Sequence, residues 1–149
     1  MMTACSLADK ARASSIRVTP QRALVCDVVD AADDHPTADE IYERARELDP
    51  TIAIATVYRT LKVLEDGELI ARRDFGTRKG RYEAFSDEHH DHLIDQDSGE
   101  IIEFYNEQLD ALICKIAAEM GYKVAHHQVE VYAEKADQPP KIRKRRSAR

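Results

Sequence analysis

Residues 54–85 read IATVYRTLKVLEDGELIARRDFGTRKGRYEAF, and this stretch decides the fold of the N-terminal half. Its first part places Val57, Leu61 and Leu64 at helical spacing, which predicts a helix from about Ile54 to Asp66. We expect Gly67 to end that helix in the left-handed conformation. The hydrophobic period then changes, which predicts two strands, 68–75 and 80–85, around a turn at 76–79.

The residues upstream of this stretch predict further helices. A short helix is expected over 6–14 and a longer one over 19–33, with Pro20 at a position that tolerates proline. Thr37 and Glu40 have the spacing of a capping box, and Asp49-Pro50 ends the helix that follows. Helices followed by a two-stranded hairpin are typical of a winged helix-turn-helix, so we predict a DNA-binding domain over residues 1–85.

The last predicted helix and the hairpin carry the candidate DNA contacts. On the helix we expect the exposed residues to be Thr56, Tyr58, Arg59, Thr60 and Lys62. The hairpin, or wing, carries the cations Arg72, Arg73, Arg78, Lys79 and Arg81, which favour phosphate. An ordinary solvated hairpin and a half-buried packing role for Tyr58 are alternatives, and the placement of these residues on a winged helix favours DNA.

The second half predicts a smaller α/β unit, so that the whole chain is α+β. Residues 86–92 are polar and resemble a hinge, and residues 93–134 are expected to form a dimerisation domain. Its strands are predicted at 93–95, 100–104 and 123–133, with a helix that Asn106 caps and Gly121 ends. A unit of about 50 residues buries little surface alone, which favours dimerisation through this half.

Composition limits the function classes. The chain has 149 residues and 43% hydrophobic residues, with no apolar run long enough to span a membrane and no signal-peptide core, so we expect a cytoplasmic protein. Cys5, Cys26 and Cys114 are odd in number and far apart, which argues against a disulfide framework. They form no CxxC pair, which argues against a thiolate-rich zinc site within one chain.

Charge is distributed unevenly along the chain. Residues 1–81 hold 13 Lys/Arg against 14 Asp/Glu, residues 82–140 hold 3 against 14, and residues 141–149 hold 6 basic residues and no acids. The acidic block fits either solubility or cation binding. Residues 135–149 are predicted to be a disordered basic tail, which either contacts nucleic acid or keeps the chain soluble.

The histidine-rich segment His89-His90-Asp91-His92 is the most informative stretch for function. In an extended segment, side chains alternate between faces, so His90 and His92 point one way while His89 and Asp91 point the other. One short segment could therefore supply two metal sites. Imidazole and carboxylate suit Fe, Mn, Zn, Co or Ni, and the alternative is a solvated hinge without metal.

These motifs together resemble the ferric uptake regulator family of metal-dependent transcriptional repressors over about residues 10–133. The matching stretches are RVTPQR (17–22), HPTADEIY (35–42), IATVYRTL (54–61), RYEAF (81–85), HHDHLI (89–94), GEIIEF (99–104) and the strand of His127. The resemblance implies an N-terminal winged-helix domain, a C-terminal dimerisation domain and up to two metal sites per chain.

The resemblance also implies roles for individual residues. A regulatory metal site linking the two domains would use His35, Glu83, His90, His92 and Glu103. A second site, within the dimerisation domain, would use His89, Asp91, Asp110 and His127. On the DNA side, Tyr58 would touch thymine methyl groups, Arg59 phosphate or base edges, and Arg17 the minor groove of an A/T-rich palindromic operator.

The sequence departs from the family pattern in one place. Many members bind structural zinc through a CxxC pair after the HHDH stretch, whereas here the positions are Asp95, Gln96, Asp97 and Ser98. This counts against the zinc-uptake and peroxide-sensing branches, and Glu at positions 83 and 103 differs from the Asp typical of peroxide sensors. A haem-responsive relative is an alternative, although no Cys-Pro motif is present near the N-terminus.

The resulting prediction is a repressor of iron-uptake genes with Fe²⁺ as corepressor, for which Mn²⁺ or Zn²⁺ could substitute. Its partners would be double-stranded operator DNA and a second copy of the chain, or a dimer of dimers, with no membrane and no small-molecule substrate. A manganese-responsive or haem-responsive regulator is the alternative within the family. Two other function classes fit less well. The sequence offers no distinct catalytic base for a metalloenzyme, and a role as a metal buffer would leave the basic wing unexplained.

Overall fold

The computed structural model describes residues 5–76, 79–86 and 88–137. The chain divides into two compact units, with the boundary after Ser86. In the part of the first unit that the structure describes, there are four helices and a two-stranded antiparallel sheet, which are α1 (Leu7–Ala13), α2 (Pro20–Ala31), α3 (Ala38–Leu48), α4 (Ile54–Asp66), β1 (Ile70–Arg73) and β2 (Arg81–Ala84). This is the α+β winged helix-turn-helix arrangement that the sequence predicts.

One hydrophobic core fills the first unit. Val57, Leu61 and Leu64 are buried on the inner face of α4, as predicted, and pack in a cluster with Val25 of α2 and Ile41 of α3. Each fully buried side chain of this size contributes about 1.5–3 kcal/mol relative to exposure. This shared core fixes α4 against the two preceding helices.

The start of α3 confirms the predicted capping box. The Thr37 N–H donates to Glu40 Oε2 at 2.7 Å, and the Glu40 N–H donates to Thr37 Oγ1 at 3.3 Å. The helix therefore begins with two of its otherwise unsatisfied donors paired. Asp49 caps its C-terminal end, as expected.

Three local expectations for the first unit are wrong. Gly67 has φ −82°, and the left-handed residue is Glu68, with φ +56°. Thr60 was expected to be exposed but is buried, and its hydroxyl donates to Thr56 O at 2.7 Å. Both wing strands are shorter than predicted. Thr77 and Arg78 of the predicted turn lie outside the described residues.

Within its described residues, the second unit contains a three-stranded sheet and one helix. The sheet has the order β4-β3-β5, with β3 and β4 antiparallel and β3 and β5 parallel. Its elements are β3 (Asp91–Asp95), β4 (Ile101–Phe104), α5 (Glu107–Glu119) and β5 (Glu130–Ala133). Residues 138–149 of the predicted tail lie outside the described residues.

Two element boundaries in this unit differ from the prediction. Asp91 and His92, assigned to a hinge over 86–92, are buried residues of β3. The last strand was expected over 123–133 but begins at Glu130. The reason is that the Val129 N–H donates to the Asp91 side chain at 2.9 Å instead of to a neighbouring strand.

Helix α5 has a capped start and a largely exposed surface. Asn106 accepts from the Leu109 N–H at 3.0 Å, as predicted, and Gly121 follows the helix with φ +86°. None of its residues is buried. Among the helices of the described residues, none combines the length and apolarity of a membrane span.

Candidate metal centres and DNA-binding surface

One cluster of metal-ligating side chains lies entirely within the second unit. It consists of His89, Asp91 at the start of β3, Asp110 in the first turn of α5, and His127. His127 Nε2 lies 3.1 Å from Asp110 Oδ1, and His89 Nε2 lies 3.4 Å from one carboxylate oxygen of each aspartate. One ligand atom from each residue lies within 4.8 Å of all the others. We call this set the intra-unit cluster.

The intra-unit cluster fits a bound cation. Asp91 is fully buried, and its Oδ1 accepts from the Val129 N–H at 2.9 Å. The other oxygen, Oδ2, is buried and makes no hydrogen bond to any described residue, and the same holds for His89 Nε2. Leaving a buried carboxylate oxygen unsatisfied is costly, and a metal ion bound there would remove that cost.

A second group of ligating residues in the same unit lies across β3 and β4. His92 pairs with Glu103 in the strand register, and His90 Nε2 lies 3.7 Å from Glu103 Oε1. The rings of His90 and His92 lie edge to face, 5.0 Å apart. His90 Nδ1 lies 3.1 Å from the carbonyl oxygen of Glu88, so Nε2 is the nitrogen that would bind metal.

The first unit brings together the other two predicted regulatory ligands. His35 Nε2 and Glu83 Oε2 are 2.8 Å apart, and His35 is 4% exposed. His35 has φ +52°, a conformation that few residues other than glycine adopt, and Arg81 donates to its carbonyl oxygen at 3.0 Å. Glu83 also accepts from Arg73 Nε at 2.8 Å, so the wing residue Arg73 orients a predicted metal ligand.

The candidate DNA-binding surface forms a cavity of about 320 Å³ in the first unit, between the start of α3, α4 and the wing. Its lining comprises Thr37, Ala38, Asp39, Tyr58, Arg72, Lys79, Gly80 and Tyr82. The Tyr58 hydroxyl donates to Asp39 Oδ1 at 3.0 Å, which raises the pKa of that hydroxyl. Lys79 Nζ lies 3.3 Å from the other Asp39 oxygen.

The remaining predicted DNA contacts also lie in the first unit. The Arg72 side chain lies across Gly80, where a Cβ would collide with the Arg72 guanidinium, and Arg72 is exposed. Arg17 and Arg59 are exposed, and Thr56 is half-buried. Lys62 is exposed and pairs with Asp66 at 2.8 Å within α4. These roles stay predictions.

Three side-chain contacts within these sites were not predicted. Gln128 contacts His92, Arg73 contacts Glu83, and Asp39 contacts Tyr58. No periodicity or motif marks these contacts, because each joins residues at least 10 positions apart.

The cysteines do not contribute to these clusters. Burial raises the pKa of the Cys26 thiol to about 11, which keeps it protonated at neutral pH. Cys5 and Cys114 are exposed, and all three are free thiols. The ligating atoms of these clusters are therefore all nitrogen and oxygen atoms.

Comparison with known proteins identifies the family. The model of the ferric uptake regulator family matches residues 13–132. The chain belongs to the ferric uptake regulator family. It is 43% identical over 117 residues to the ferric uptake regulation protein of Rhizobium leguminosarum bv. viciae, covering 78% of this chain and 82% of that protein.

Solved structures of family members have the same fold. A zinc-bound manganese uptake regulator has a TM-score of 0.75 at 39% identity, covering 88% of this chain and 99% of that one. The ferric uptake regulator of Vibrio cholerae has a TM-score of 0.76 at 29% identity, covering 84% and 96%. As a ferric uptake regulator family member, the chain is a metal-dependent transcriptional regulator of metal uptake.

Proposed function

We propose that this family member represses iron-uptake genes as a homodimer, with Fe²⁺ as corepressor. The observation that carries the proposal is that each unit gathers its own subset of the predicted regulatory ligands. His35 and Glu83 are 2.8 Å apart in the winged unit, and His92 faces Glu103 in the strand register of the other unit. A metal that bound both subsets would hold the DNA-binding unit at one orientation.

The donor chemistry supports a divalent first-row metal. Imidazole and carboxylate ligands bind Fe²⁺, Mn²⁺ and Zn²⁺ without the preference for soft metals that thiolates bring. The names of the curated relatives at 40–43% identity favour iron. A manganese-responsive regulator is the second candidate, because a solved relative at 39% identity is named a manganese uptake regulator.

The regulatory residues act on the orientation of the DNA-binding unit. Glu83 belongs to wing strand β2, and its contact with Arg73 of β1 ties the carboxylate to both wing strands. The bound metal supplies positive charge that holds the carboxylates and imidazoles of the site together. One orientation is thereby selected, and in a dimer this orientation sets the distance between the two α4 helices.

The intra-unit cluster would hold a second metal with a structural role. Its ligands come from β3, from α5 and from the segment before β5. Asp91 supplies a buried carboxylate oxygen without a hydrogen-bond partner among the described residues, and His127 lies beside Asp110. This metal would stabilise the second unit where many relatives use a thiolate-bound zinc.

On the DNA side, α4 would read the major groove of an A/T-rich palindrome. Tyr58 and Arg59 would contact base edges and phosphate, and Thr56 and Lys62 would lie beside them on the helix. Arg17 would enter the minor groove, and the wing cations Arg72, Arg73 and Lys79 would contact phosphate. The proposal includes no catalytic step and no small-molecule substrate, and binding to chromosomal operators implies a cytoplasmic location.

The dimer would form through the second unit. Helix α5 exposes Leu112 to 52%, Ile116 to 48% and Met120 to 69%, and these side chains follow one another at four-residue spacing. A row of large apolar side chains on a small unit is typical of a protein interface. Two such dimers on one operator would form a dimer of dimers.

Operator binding by the full chain, measured by fluorescence anisotropy without oxygen, tests the proposed function. We expect Fe²⁺ to raise operator affinity and a chelator to lower it again. Glu83→Ala and His92→Ala should each weaken metal-dependent binding by about 10-fold or more without altering dimer mass. Glu47→Ala and His126→Ala, which change exposed residues of the same types, are the controls.

The same titration distinguishes the candidate metals. Operator affinity that responds to Mn²⁺ but not to Fe²⁺ at cellular concentrations would favour the manganese-responsive regulator. If the wild type and both ligand variants bind the operator equally with and without every metal, the proposed metal-dependent switch is overturned.

A further inference from the structure

Gln128 contacts a predicted metal ligand through its side chain. Its Nε2 lies 3.0 Å from Nδ1 of His92, and His92 is fully buried in β3. The other ring nitrogen, Nε2, is therefore the atom with which His92 would bind metal. Gln128 is half-buried, so its amide is partly shielded from water that could take over this contact.

The identity of the Gln128 side chain matters because of the chemistry of imidazole. A neutral ring that binds metal through Nε2 carries its proton on Nδ1, and that N–H requires an acceptor. The Gln128 amide provides one, since rotation of the amide by half a turn places Oε1 opposite Nδ1. A side chain with only apolar atoms would remove this acceptor from a buried N–H.

The backbone on both sides of Gln128 is fixed by the intra-unit cluster. His127, which precedes it, lies 3.1 Å from Asp110 through Nε2. Val129, which follows it, donates its N–H to Asp91 Oδ1 and accepts from the His92 N–H, both at 2.9 Å. Contacts of the two neighbouring residues thus fix the backbone at Gln128.

We propose that Gln128 is a positioning residue that holds His92 in the tautomer and orientation that bind metal through Nε2. The proposal rests on the proposed function, because it requires His92 to be a metal ligand. Gln128 belongs to neither of the two predicted sets of metal ligands. It also connects the intra-unit cluster to His92, because residues 127–129 contact both.

Five variants of the whole chain test this role. Gln128→Leu removes the acceptor at similar size, Gln128→Asn keeps the amide but shortens the reach, and Gln128→Glu keeps the acceptor. Gln108→Leu, on the exposed surface of α5, is the matched control. Mn²⁺ affinity is measured by the paramagnetic resonance of free Mn²⁺, and His92→Ala identifies the site to which His92 belongs.

We expect Gln128→Leu and Gln128→Asn to weaken the His92 site by about 10-fold or more, as removal of an outer hydrogen bond to a metal ligand does elsewhere. Gln108→Leu should bind Mn²⁺ as the wild type does. Gln128→Glu should bind Mn²⁺ equally well or more tightly. In the protein loaded with Zn²⁺, a slowly exchanging Nδ1 proton of His92 should be visible by nitrogen-edited NMR. It should persist in Gln128→Glu and vanish in Gln128→Leu, which a merely structural role would not produce.

The outcomes separate this inference from the proposed function. If His92→Ala weakens Mn²⁺ binding but Gln128→Leu does not, only the role of Gln128 is overturned. The same conclusion follows if Gln128→Glu binds as weakly as Gln128→Leu. If His92→Ala leaves every Mn²⁺ site unchanged, His92 is no ligand and both proposals fail.

Discussion

Asp95 organises the turn at the positions where many relatives carry a CxxC pair. Its Oδ1 accepts from the Asp97 N–H at 2.9 Å and from the Ser98 N–H at 3.4 Å, and its Oδ2 accepts from the Ser98 hydroxyl at 2.9 Å. Lys135 Nζ lies 3.6 Å from the same carboxylate. Hydrogen bonds to one carboxylate thus close the turn after β3.

Asp95→Ala should lower the free energy of unfolding of the metal-free protein at pH 7, because the turn loses all of these acceptors. The hydrogen bond from Ser98 holds the pKa of Asp95 below its ordinary value of 3.8. The stabilisation is therefore fully present above about pH 4 and is lost as pH falls through the lower folded-state value.

Urea unfolding of the wild type and of Asp95→Ala from pH 7 downward checks this expectation. The difference in midpoint should stay constant in the neutral range and shrink below about pH 4. Gln96→Ala, at the exposed neighbouring position, is the control. Equal stability of Asp95→Ala and the wild type at pH 7 would contradict the role of the turn.

Single residues also show where sequence reasoning stops. Gly67 has the residue type that favours a left-handed helix end, but Glu68 adopts that conformation. A Cβ on Gly67 would lie 3.0 Å from Ile16 Cδ1, so the glycine allows that side chain to pack closely against the end of α4. No local sequence signal shows whether a glycine serves a left-handed conformation or close packing.

At the scale of elements, the wing offers the clearest test of DNA contact. Arg72 is exposed, lies across Gly80 and lines the cavity beside Tyr58. Arg72→Ala should weaken operator binding in the presence of metal. If Arg72 neutralises one phosphate, the slope of log affinity against log salt should fall in magnitude by about 0.9.

Anisotropy titrations of one operator duplex at several salt concentrations measure this slope. Lys115→Ala removes an exposed cation from α5 and should change neither affinity nor slope. An unchanged slope for Arg72→Ala would mean that this side chain contacts no phosphate.

The exposed face of α5 leads to a prediction about assembly. Ile116→Glu places a charge in the middle of the row formed by Leu112, Ile116 and Met120, where burial against a second copy would be costly. We expect this variant to be monomeric in analytical ultracentrifugation at concentrations where the wild type is dimeric. Ala118→Glu, about half a turn around the helix, should remain dimeric.

Elements governed by local signals could be predicted well from the sequence. The Thr37 capping box and the Asn106 cap are local, and α3 and α5 begin there. The last strand was predicted too long, because Val129 donates to the carboxylate of Asp91, 38 residues away. An element whose hydrogen bonds go to a distant side chain cannot be delimited by its own periodicity.

At the scale of the whole molecule, the α+β class followed from helices preceding a hairpin and from a polar stretch after it. The alternation of side chains along the HHDH segment also predicts the separation of His89 and Asp91 from His90 and His92. The residues that orient these ligands, such as Gln128 and Arg73, could not be predicted. Their contacts depend on how strands and segments far apart in sequence meet.

A metal that controls DNA binding through both units makes a quantitative prediction about the reverse effect. If metal raises operator affinity by some factor, saturating operator must raise metal affinity by the same factor, because the two binding equilibria share one cycle. We expect a factor between about 5 and 150. Free Mn²⁺, measured by paramagnetic resonance, gives metal affinity with operator, with a non-operator duplex of equal length, and without DNA.

Ligand variants in either unit should abolish this coupling in both directions. Glu103 lies in the second unit, on β4, and is not one of the predicted DNA contacts, so Glu103→Ala tests coupling without removing any of them. It should remove both the effect of metal on operator affinity and the effect of operator on metal affinity. Its affinity for the non-operator duplex should equal that of the metal-free wild type. A Glu103→Ala protein with full coupling would mean that the metal acts within the winged unit alone, through His35 and Glu83.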